Sequence, residues 1–370
     1  MIKIKRYKQS RTEIGDKCHK DTVKRILAKN NKMMTKPVQY NWSLISKYRN
    51  ILMGIGILGV MFAHLLVWGS VKGIVALILR PFNGLIFTEG FLFLSGFGLY
   101  YSFSRNDDSR SFYKKRIDRL LIPFIIISLP FYLERMIYYG HSFWEFLLNI
   151  TALRFWFLGN DGMWYISVSL FLYVLFPLMY KFMFSGGSVW EQKRVSLRTT
   201  LLLILLVGIV LLLFYACPGY YQLTGIGISK IPIFAVGIYF GYLSQKELHF
   251  NSDVMFIILL GILIIALNFF GGIAAEFENS VHRLFCIIIL CILFALLEKY
   301  QHGVFAFLKT VFEWFGRYTL EMYILHMFIF NIVSQYMKDV WGGVFSIAIT
   351  ILIAPCVHII VERIKNRTKA

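Results

Sequence analysis

Four titratable side chains interrupt the long apolar runs of this sequence. They are His64 in GVMFAHLLVW, Glu89 in FTEGFLFLSGF, and Glu321 and His326 in GRYTLEMYILHMF. Such groups are costly inside an apolar segment, so each is either functional or a buried structural group held by a hydrogen bond. A neutral histidine such as His64 can act as a general base. Glu321 and His326 lie about 140° apart around a helix, where they need not touch.

A compact group of basic residues follows in SRNDDSRSFYKKRIDRLLIPF, where Lys114, Lys115, Arg116 and Arg119 lie close together. On a helix, Arg116 and Arg119 would share a face because they are three residues apart. Two guanidinium groups on one face suit a phosphate or pyrophosphate ligand. A positively charged anchor at the cytoplasmic surface of a membrane is the alternative. The spacing leaves both interpretations open.

The composition restricts the class of protein that positions these groups. The 370 residues are 58% hydrophobic and 16% charged, with a mean hydropathy of +0.63. Soluble domains contain about 25% charged residues, and disordered chains are much less hydrophobic. The sequence therefore predicts an all-α polytopic membrane protein in a lipid bilayer. The net charge of +19 does not by itself indicate nucleic acid as a partner, because basic residues also orient membrane proteins.

A helix that crosses a bilayer needs about 20 mostly apolar residues. Ten segments meet this requirement, at about 50–69, 82–103, 120–139, 163–181, 199–216, 228–244, 253–271, 283–298, 318–337 and 341–361. We expect a basic tail at 1–47, one membrane domain at 48–362 and a short tail at 363–370.

Lysine and arginine are concentrated on one side of these spans. When both termini are placed on the same side, most of the basic residues fall in the tails and loops of that side. The positive-inside rule then predicts cytoplasmic termini and a location in the plasma (inner) membrane. If the first helix begins near Arg49, His64 lies about 22 Å along it, beyond the membrane midplane towards the outer face.

Several familiar catalytic motifs are missing from the sequence. It contains no GxxxxGK[ST] loop, no GxSxG elbow and no HExxH pair, which argues against an ATP-driven pump, a serine hydrolase and a zinc peptidase. The cysteines show neither a disulfide framework nor zinc spacing. No metal site is predicted.

An aromatic segment at 138–165 lies on the outer side of the predicted topology, from the end of the third span to the start of the fourth. It contains Trp144, Trp156 and Trp164, together with Asp161. Aromatic faces with a few polar groups suit a sugar ring. Tryptophan and tyrosine also collect at membrane interfaces for purely structural reasons. The segment is therefore a candidate acceptor site or an interfacial belt.

Five segments, in this order along the chain, resemble the acyltransferase 3 family of integral-membrane acyltransferases (O-acetyltransferase-like). They are YRNILMGIGILGVMFAHLL, EGFLFLSGFGLYY, FYKKRIDRLLIPF, MWYISVSLFLYVLFPL and GRYTLEMYILHMF. The resemblance runs over about residues 48–340. It implies an acyl-CoA donor, most often acetyl-CoA, no bound cofactor, and a hydroxyl of an envelope or exported bacterial glycan as acceptor.

The resemblance also assigns roles to individual residues. His64 matches the family's catalytic histidine, and Arg116 and Arg119 match its Arg-x-x-Arg pair, which is associated with the acyl donor. The family's arginine eleven residues before the histidine falls on Met53. Arg49, one helical turn earlier, shares that face and is predicted to replace it.

A mechanism follows from these roles. We expect the CoA phosphates to rest on Arg116, Arg119 and Lys115, while His64 takes the proton of the attacking hydroxyl. Glu89 is predicted to orient the imidazole or to stabilise its protonated form, as the third member of a triad does. An acyl-histidine intermediate and a succinyl or longer acyl donor stay open.

Other functions share part of the pattern. A transporter or flippase of a glycan or lipid-linked sugar would also combine ten spans with intramembrane histidine and glutamate. It predicts related halves and discontinuous helices, and the two halves of this chain show no similarity. A non-catalytic membrane scaffold does not account for the five segments. The acceptor and the oligomeric state are not determined by the sequence.

Overall fold

The computed structural model describes residues 41–68, 71, 73–74, 76–77, 79, 85–160, 162–186, 191–246, 272–298 and 303–367. In these ranges the protein is helical and has no β-strand, which confirms the all-α prediction. The helices are α1 (Ser43–Trp68), α2 (Phe87–Arg105), α3 (Ser109–Arg116), a π-helical turn (Ile117–Leu121), α4 (Ile122–Tyr138), α5 (Phe143–Ile150), α6 (Arg154–Leu158), α7 (Trp164–Phe184), α8 (Glu191–Ala216), α9 (Pro218–Ile228), α10 (Ile231–Gln245), α11 (Ile273–Leu297), α12 (Val304–Arg317), α13 (Thr319–Tyr336) and α14 (Val340–Arg367).

Seven segments in the described ranges are long and apolar enough to cross a membrane. They are Ser43–Val67, Ser109–Tyr138, Trp164–Phe184, Glu191–Ala216, Pro218–Gln245, Ala275–Leu297 and Val340–Arg367. Each coincides with one of the ten predicted spans. The predicted spans 82–103 and 318–337 correspond to α2 and α13, and the predicted span 253–271 lies outside the described residues, as does most of the tail 1–47.

Helices α2 and α13 lie inside the bundle. Most of their side chains are buried against neighbouring helices, including both of the glutamates that the sequence singled out. Polar groups are tolerated at depth in a membrane protein when they face the bundle interior. The interior position of α2 and α13 therefore accommodates Glu89 and Glu321 away from lipid.

Glycines bring α2 into very close contact with α10. A methyl group added at Gly96 would overlap the carbonyl oxygen of Phe234, and one added at Gly237 would overlap the carbonyl oxygen of Phe93. Small residues permit such close backbone approach between helices in membranes. Helices α1 and α12 are held together in the same reciprocal way by Gly54 and a second glycine at the end of α12.

We expect Gly237→Ala to destabilise the protein by about 1–3 kcal/mol, because the added methyl group overpacks a backbone contact. Gly208→Ala is the matched control, since Gly208 lies in α8 with nothing near the position of a new Cβ. The control should be neutral, or more stable by about 0.5–1 kcal/mol. Thermal unfolding of the purified proteins in detergent measures both, and a Gly237→Ala midpoint at or above that of the control contradicts the prediction.

Candidate active site

One cavity, of about 370 Å³, lies at the end of the bundle where α1 begins. Its lining includes Arg49 of α1 and both Arg116 and Arg119, and we call it the arginine cavity. Arg49 extends across to α2, where its Nε donates a hydrogen bond to the backbone oxygen of Leu94 at 3.4 Å. The structure thus places in one cavity three arginines from two distant segments of the sequence.

The Arg-x-x-Arg pair lies on a local irregularity of the helix. The π-helical turn Ile117–Leu121 joins α3 to α4, and it begins directly after Arg116 and contains Arg119. Single π-helical turns inside α-helices frequently mark functional sites. The sequence predicted a common face on a regular helix, and the π-helical turn differs from that geometry although both arginines still reach the same cavity.

The guanidinium of Arg116 contacts two neighbours, but one of its hydrogen-bond donors is left unused by the described part of the chain. Its Nη2 donates a hydrogen bond to Ser102 Oγ at 3.1 Å, and its guanidinium lies 5.3 Å from the ring centroid of Phe112. Its Nε is buried and has no hydrogen-bond partner among the described residues. A buried donor of this kind calls for an acceptor, and a ligand oxygen would supply one. Lys115, by contrast, is exposed and is not among the residues that line the arginine cavity.

The far wall of the arginine cavity comes from the C-terminal helices. Arg317, Glu321, His358, Glu362 and Lys365 all contribute to it. Glu321 Oε1 lies 2.7 Å from His358 Nδ1, and Lys365 pairs with Glu362 at 2.6 Å. Counting the three arginines opposite, cationic side chains outnumber the carboxylates. The cavity is therefore suited to an anionic ligand.

A second cavity, of about 510 Å³, lies towards the other end of α1. His64 lines it together with Glu89 and Trp164, and we call it the histidine cavity. His64 follows Arg49 by fifteen residues, which corresponds to about 22 Å along the helix. The two cavities therefore lie at different depths of the bundle.

Glu89 belongs to a buried network of charges in the histidine cavity. Its carboxylate lies 3.6 Å from Lys230 Nζ and 3.6 Å from Arg283 Nε, and it also accepts a hydrogen bond from Thr88. Lys230 in turn lies 3.0 Å from Glu276. Only 3% of the Glu89 side chain is exposed, so these two cations offset most of the cost of burying its charge.

A second histidine packs against His64. The ring of His326, on α13, has its centroid 5.2 Å from that of His64, and its Nδ1 lies 3.0 Å from the backbone oxygen of Met322. His326 is completely buried. Glu321, on the same helix, lines the arginine cavity instead. Glu321 and His326 therefore contribute to different parts of the protein.

Tyr323 lines both cavities, so the two cavities are neighbours in the bundle. Its ring packs against that of Tyr165, with centroids 5.1 Å apart, and its hydroxyl donates a hydrogen bond to the backbone oxygen of Gly162 at 3.2 Å. Tyr165 also lines the arginine cavity. Tyr323 therefore lies between the two cavities, and Tyr165 packs against it from the side of the arginine cavity.

A comparison with known protein families identifies the family of this chain. The model of the acyltransferase domain of the acyltransferase 3 family matches residues 47–360. The chain belongs to this family. Comparison with the curated proteins and with the solved structures gives no match. The match confirms the resemblance found in the sequence, covers the whole lining of the histidine cavity and most of that of the arginine cavity, and supports a membrane acyltransferase.

The candidate acceptor residues of the acyltransferase do not lie together. Trp164 is 6% exposed, lines the histidine cavity and has Lys230 Nζ 5.9 Å from its ring centroid. Trp156 packs against other aromatic rings, and Trp144 is 74% exposed on α5. Asp161 lies outside the described residues. Among the three tryptophans, the structure brings only Trp164 into the cavity of His64.

Some site residues of the acyltransferase were not assigned a role from the sequence. Lys230 and Arg283 are the clearest, because both face the histidine cavity. A usable signal existed: they are two of the few basic residues on the sparsely charged side of the predicted topology. Tyr165 and Tyr323 carried no such signal, since tyrosines are common throughout the chain. No cluster of His, Cys, Asp or Glu able to hold a metal is found in the part of the chain that the structure describes.

Proposed function

We propose that this acyltransferase moves an acyl group, acetyl in the simplest case, from cytoplasmic acyl-CoA to a hydroxyl of an envelope or exported glycan. The observation that carries the proposal is the pair of neighbouring cavities that share Tyr323 in their linings. One is rich in cations and the other contains a candidate base. These two cavities support a reaction in which a phosphate-bearing donor and an acceptor approach from different sides of the membrane.

The donor is proposed to bind in the arginine cavity. Arg49, Arg116 and Arg119 all line it, and guanidinium groups bind phosphate oxygens with paired hydrogen bonds. The partnerless Nε of Arg116 supplies a donor for one such oxygen. The loops on this side of the bundle carry most of the basic residues, which by the positive-inside rule supports a position on the cytoplasmic side of the plasma (inner) membrane, where acyl-CoA is available.

The acceptor is proposed to bind in the histidine cavity. Amide side chains of Asn160, Asn279 and Asn331 line it together with Trp164. Polar groups of this kind bind hydroxyls, and an aromatic face suits the apolar side of a sugar ring. This combination supports a carbohydrate acceptor that arrives from the outer side.

The thioester then reaches His64 past Tyr165 and Tyr323, with the phosphates left behind on the arginines. His64 removes the proton of the acceptor hydroxyl while the hydroxyl oxygen attacks the carbonyl carbon of the thioester. The tetrahedral intermediate collapses by breaking the carbon–sulfur bond, and the CoA thiolate leaves and recovers the proton from His64. The products are the ester of the acceptor and free CoA. Glu89 shares the cavity with His64 and keeps its proposed role in stabilising the protonated imidazole.

Mass spectrometry of envelope glycans tests this function. Cells with and without the gene product are compared for ester-linked acyl groups, and purified protein in lipid vesicles is supplied with isotope-labelled acetyl-CoA. We expect labelled ester that depends on the protein. Unchanged esters, together with glycan movement across vesicles in the absence of acetyl-CoA, would favour the transporter or flippase instead.

Replacing Arg116 by glutamine is expected to raise the KM for acyl-CoA by about 10- to 100-fold, since a hydrogen bond to a charged group contributes about 1.5–3 kcal/mol. The kcat at saturating donor should change less. Arg110→Gln is the matched control, because Arg110 is exposed on the same short helix and does not line the arginine cavity. Steady-state kinetics measures both variants, and an equal KM in the two contradicts the donor site.

A further inference from the structure

His326 contains a buried nitrogen that the bundle itself does not satisfy. Its Nδ1 lies 3.0 Å from the backbone oxygen of Met322, whereas its Nε2 is buried without a hydrogen-bond partner among the described residues. The residue has no exposed surface at all. Buried polar atoms are nearly always paired, so a partnerless nitrogen beside a candidate base needs an explanation.

The contact with Met322 determines the tautomer of His326. A backbone carbonyl oxygen only accepts hydrogen bonds, so the proton of the neutral ring must be on Nδ1. The Nε2 of His326 then carries a lone pair and can accept a hydrogen bond from a suitable donor. An aliphatic side chain would fill the same space without the cost of burying that lone pair.

His64 is the neighbouring side chain best suited to supply the donor. The two ring centroids are 5.2 Å apart and the ring planes are inclined at 49°. At this separation, ring nitrogens that turn towards each other come within hydrogen-bond reach. When His64 has taken up a proton, both of its nitrogens carry hydrogen, and one of them can be donated to His326.

We propose that His326 is a positioning residue for His64, which accepts a hydrogen bond from the protonated imidazole and thereby stabilises it during transfer. The proposal rests on the proposed function, in which His64 is the base. In a catalytic triad a carboxylate has this role. Here Glu89, which lies against two cations, acts through its charge in the shared cavity, and the neutral ring of His326 provides the direct hydrogen-bond acceptor without adding further charge.

Other charged and titratable groups also act on His64, and they come from several helices. Those that share its cavity are Glu89 of α2, Lys230 before α10, Glu276 and Arg283 of α11, and Tyr323 of α13. All of them stay in place when only His326 is changed. A change in the protonation of His64 between such variants therefore reports on His326.

The test measures the protonation of His64 without requiring turnover. Purified full-length protein in lipid nanodiscs is treated with diethyl pyrocarbonate, which modifies the neutral imidazole, and the peptide containing His64 is quantified by mass spectrometry across pH. In His326→Leu the midpoint of modification should move to lower pH, because the protonated ring loses its acceptor and binds its proton about tenfold more weakly. His326→Gln keeps an acceptor oxygen and should restore the wild-type midpoint.

A matched control separates hydrogen bonding from packing. Phe330 has its ring centroid 6.4 Å from both histidine rings, so Phe330→Leu disturbs the packing of the same pair while leaving the acceptor in place. Its midpoint should equal that of the wild type. If His326→Leu does not fold, His326→Met provides the apolar variant for the comparison with His326→Gln, because methionine adapts to irregular spaces.

Equal midpoints for the wild type and the apolar His326 variant overturn the inference, as does an equal shift in Phe330→Leu. In the transfer assay we expect the apolar variant to lower kcat about tenfold with an unchanged KM for acyl-CoA, and His326→Gln to recover activity. Absence of any transfer by the wild type would overturn the proposed function, while the labelling experiment would still decide the interaction between the two rings.

Discussion

Replacing His64 by alanine is expected to reduce kcat for acyl transfer by about 10²–10⁴-fold, which is the usual contribution of a general base. The KM for acyl-CoA should stay near the wild-type value, because the arginines that would hold the phosphates line the other cavity. Of these, Arg49 lies about 22 Å from His64 along α1. Transfer from isotope-labelled acetyl-CoA, measured with purified protein in vesicles, gives both parameters.

Val67→Ala provides the control for His64→Ala. Val67 lies on the same helix, is 73% exposed, and does not line the histidine cavity, so its truncation should leave kcat unchanged. His64→Gln keeps the size and polarity of the side chain but not its basicity, and it should be as inactive as the alanine variant. Full transfer by purified His64→Ala would show that His64 is not the base.

Glu89→Gln is expected to destabilise the protein by about 3–5 kcal/mol, the usual result of removing one partner from a buried ion pair. The carboxylate is 3% exposed and lies 3.6 Å from each of two cations, Lys230 and Arg283. A neutral amide would leave both positive charges buried beside a much weaker acceptor. Thermal unfolding of the purified protein in detergent measures the change.

Glu276→Gln is the matched control for this experiment. Glu276 also pairs with Lys230, at 3.0 Å, but its side chain is 40% exposed. Exposed ion pairs contribute about 0–1 kcal/mol because water and salt screen them. A loss of stability as large in Glu276→Gln as in Glu89→Gln would contradict the view that burial makes Glu89 important.

Much of the fold could be predicted from the chain without the structure. Apolar segments of spanning length are visible in the sequence because the bilayer imposes one thickness on every helix that crosses it. All seven segments of the structure that are long and apolar enough to cross a membrane coincide with predicted spans. Helices α2 and α13 correspond to two further predicted spans, which the same length criterion located in the sequence.

The candidate site was predictable only in part. His64 and Glu89 stand out because each interrupts an apolar run. Arg116 and Arg119 stand out because they are three residues apart in a compact basic cluster. The irregular π-helical turn beside Arg116 was not visible, since a single extra residue in a helical turn has no compositional signature.

The sequence by itself determined that this protein lies in a membrane, where its helices run, and which family its motifs match. Only the tertiary structure decided that Lys230 and Arg283 approach Glu89, that His326 packs on His64, and that Tyr323 lines both cavities. Composition and periodicity report on one helix at a time. A site built between helices depends on how they pack, and that packing is decided by small residues such as Gly96 and by buried charges far apart in the chain.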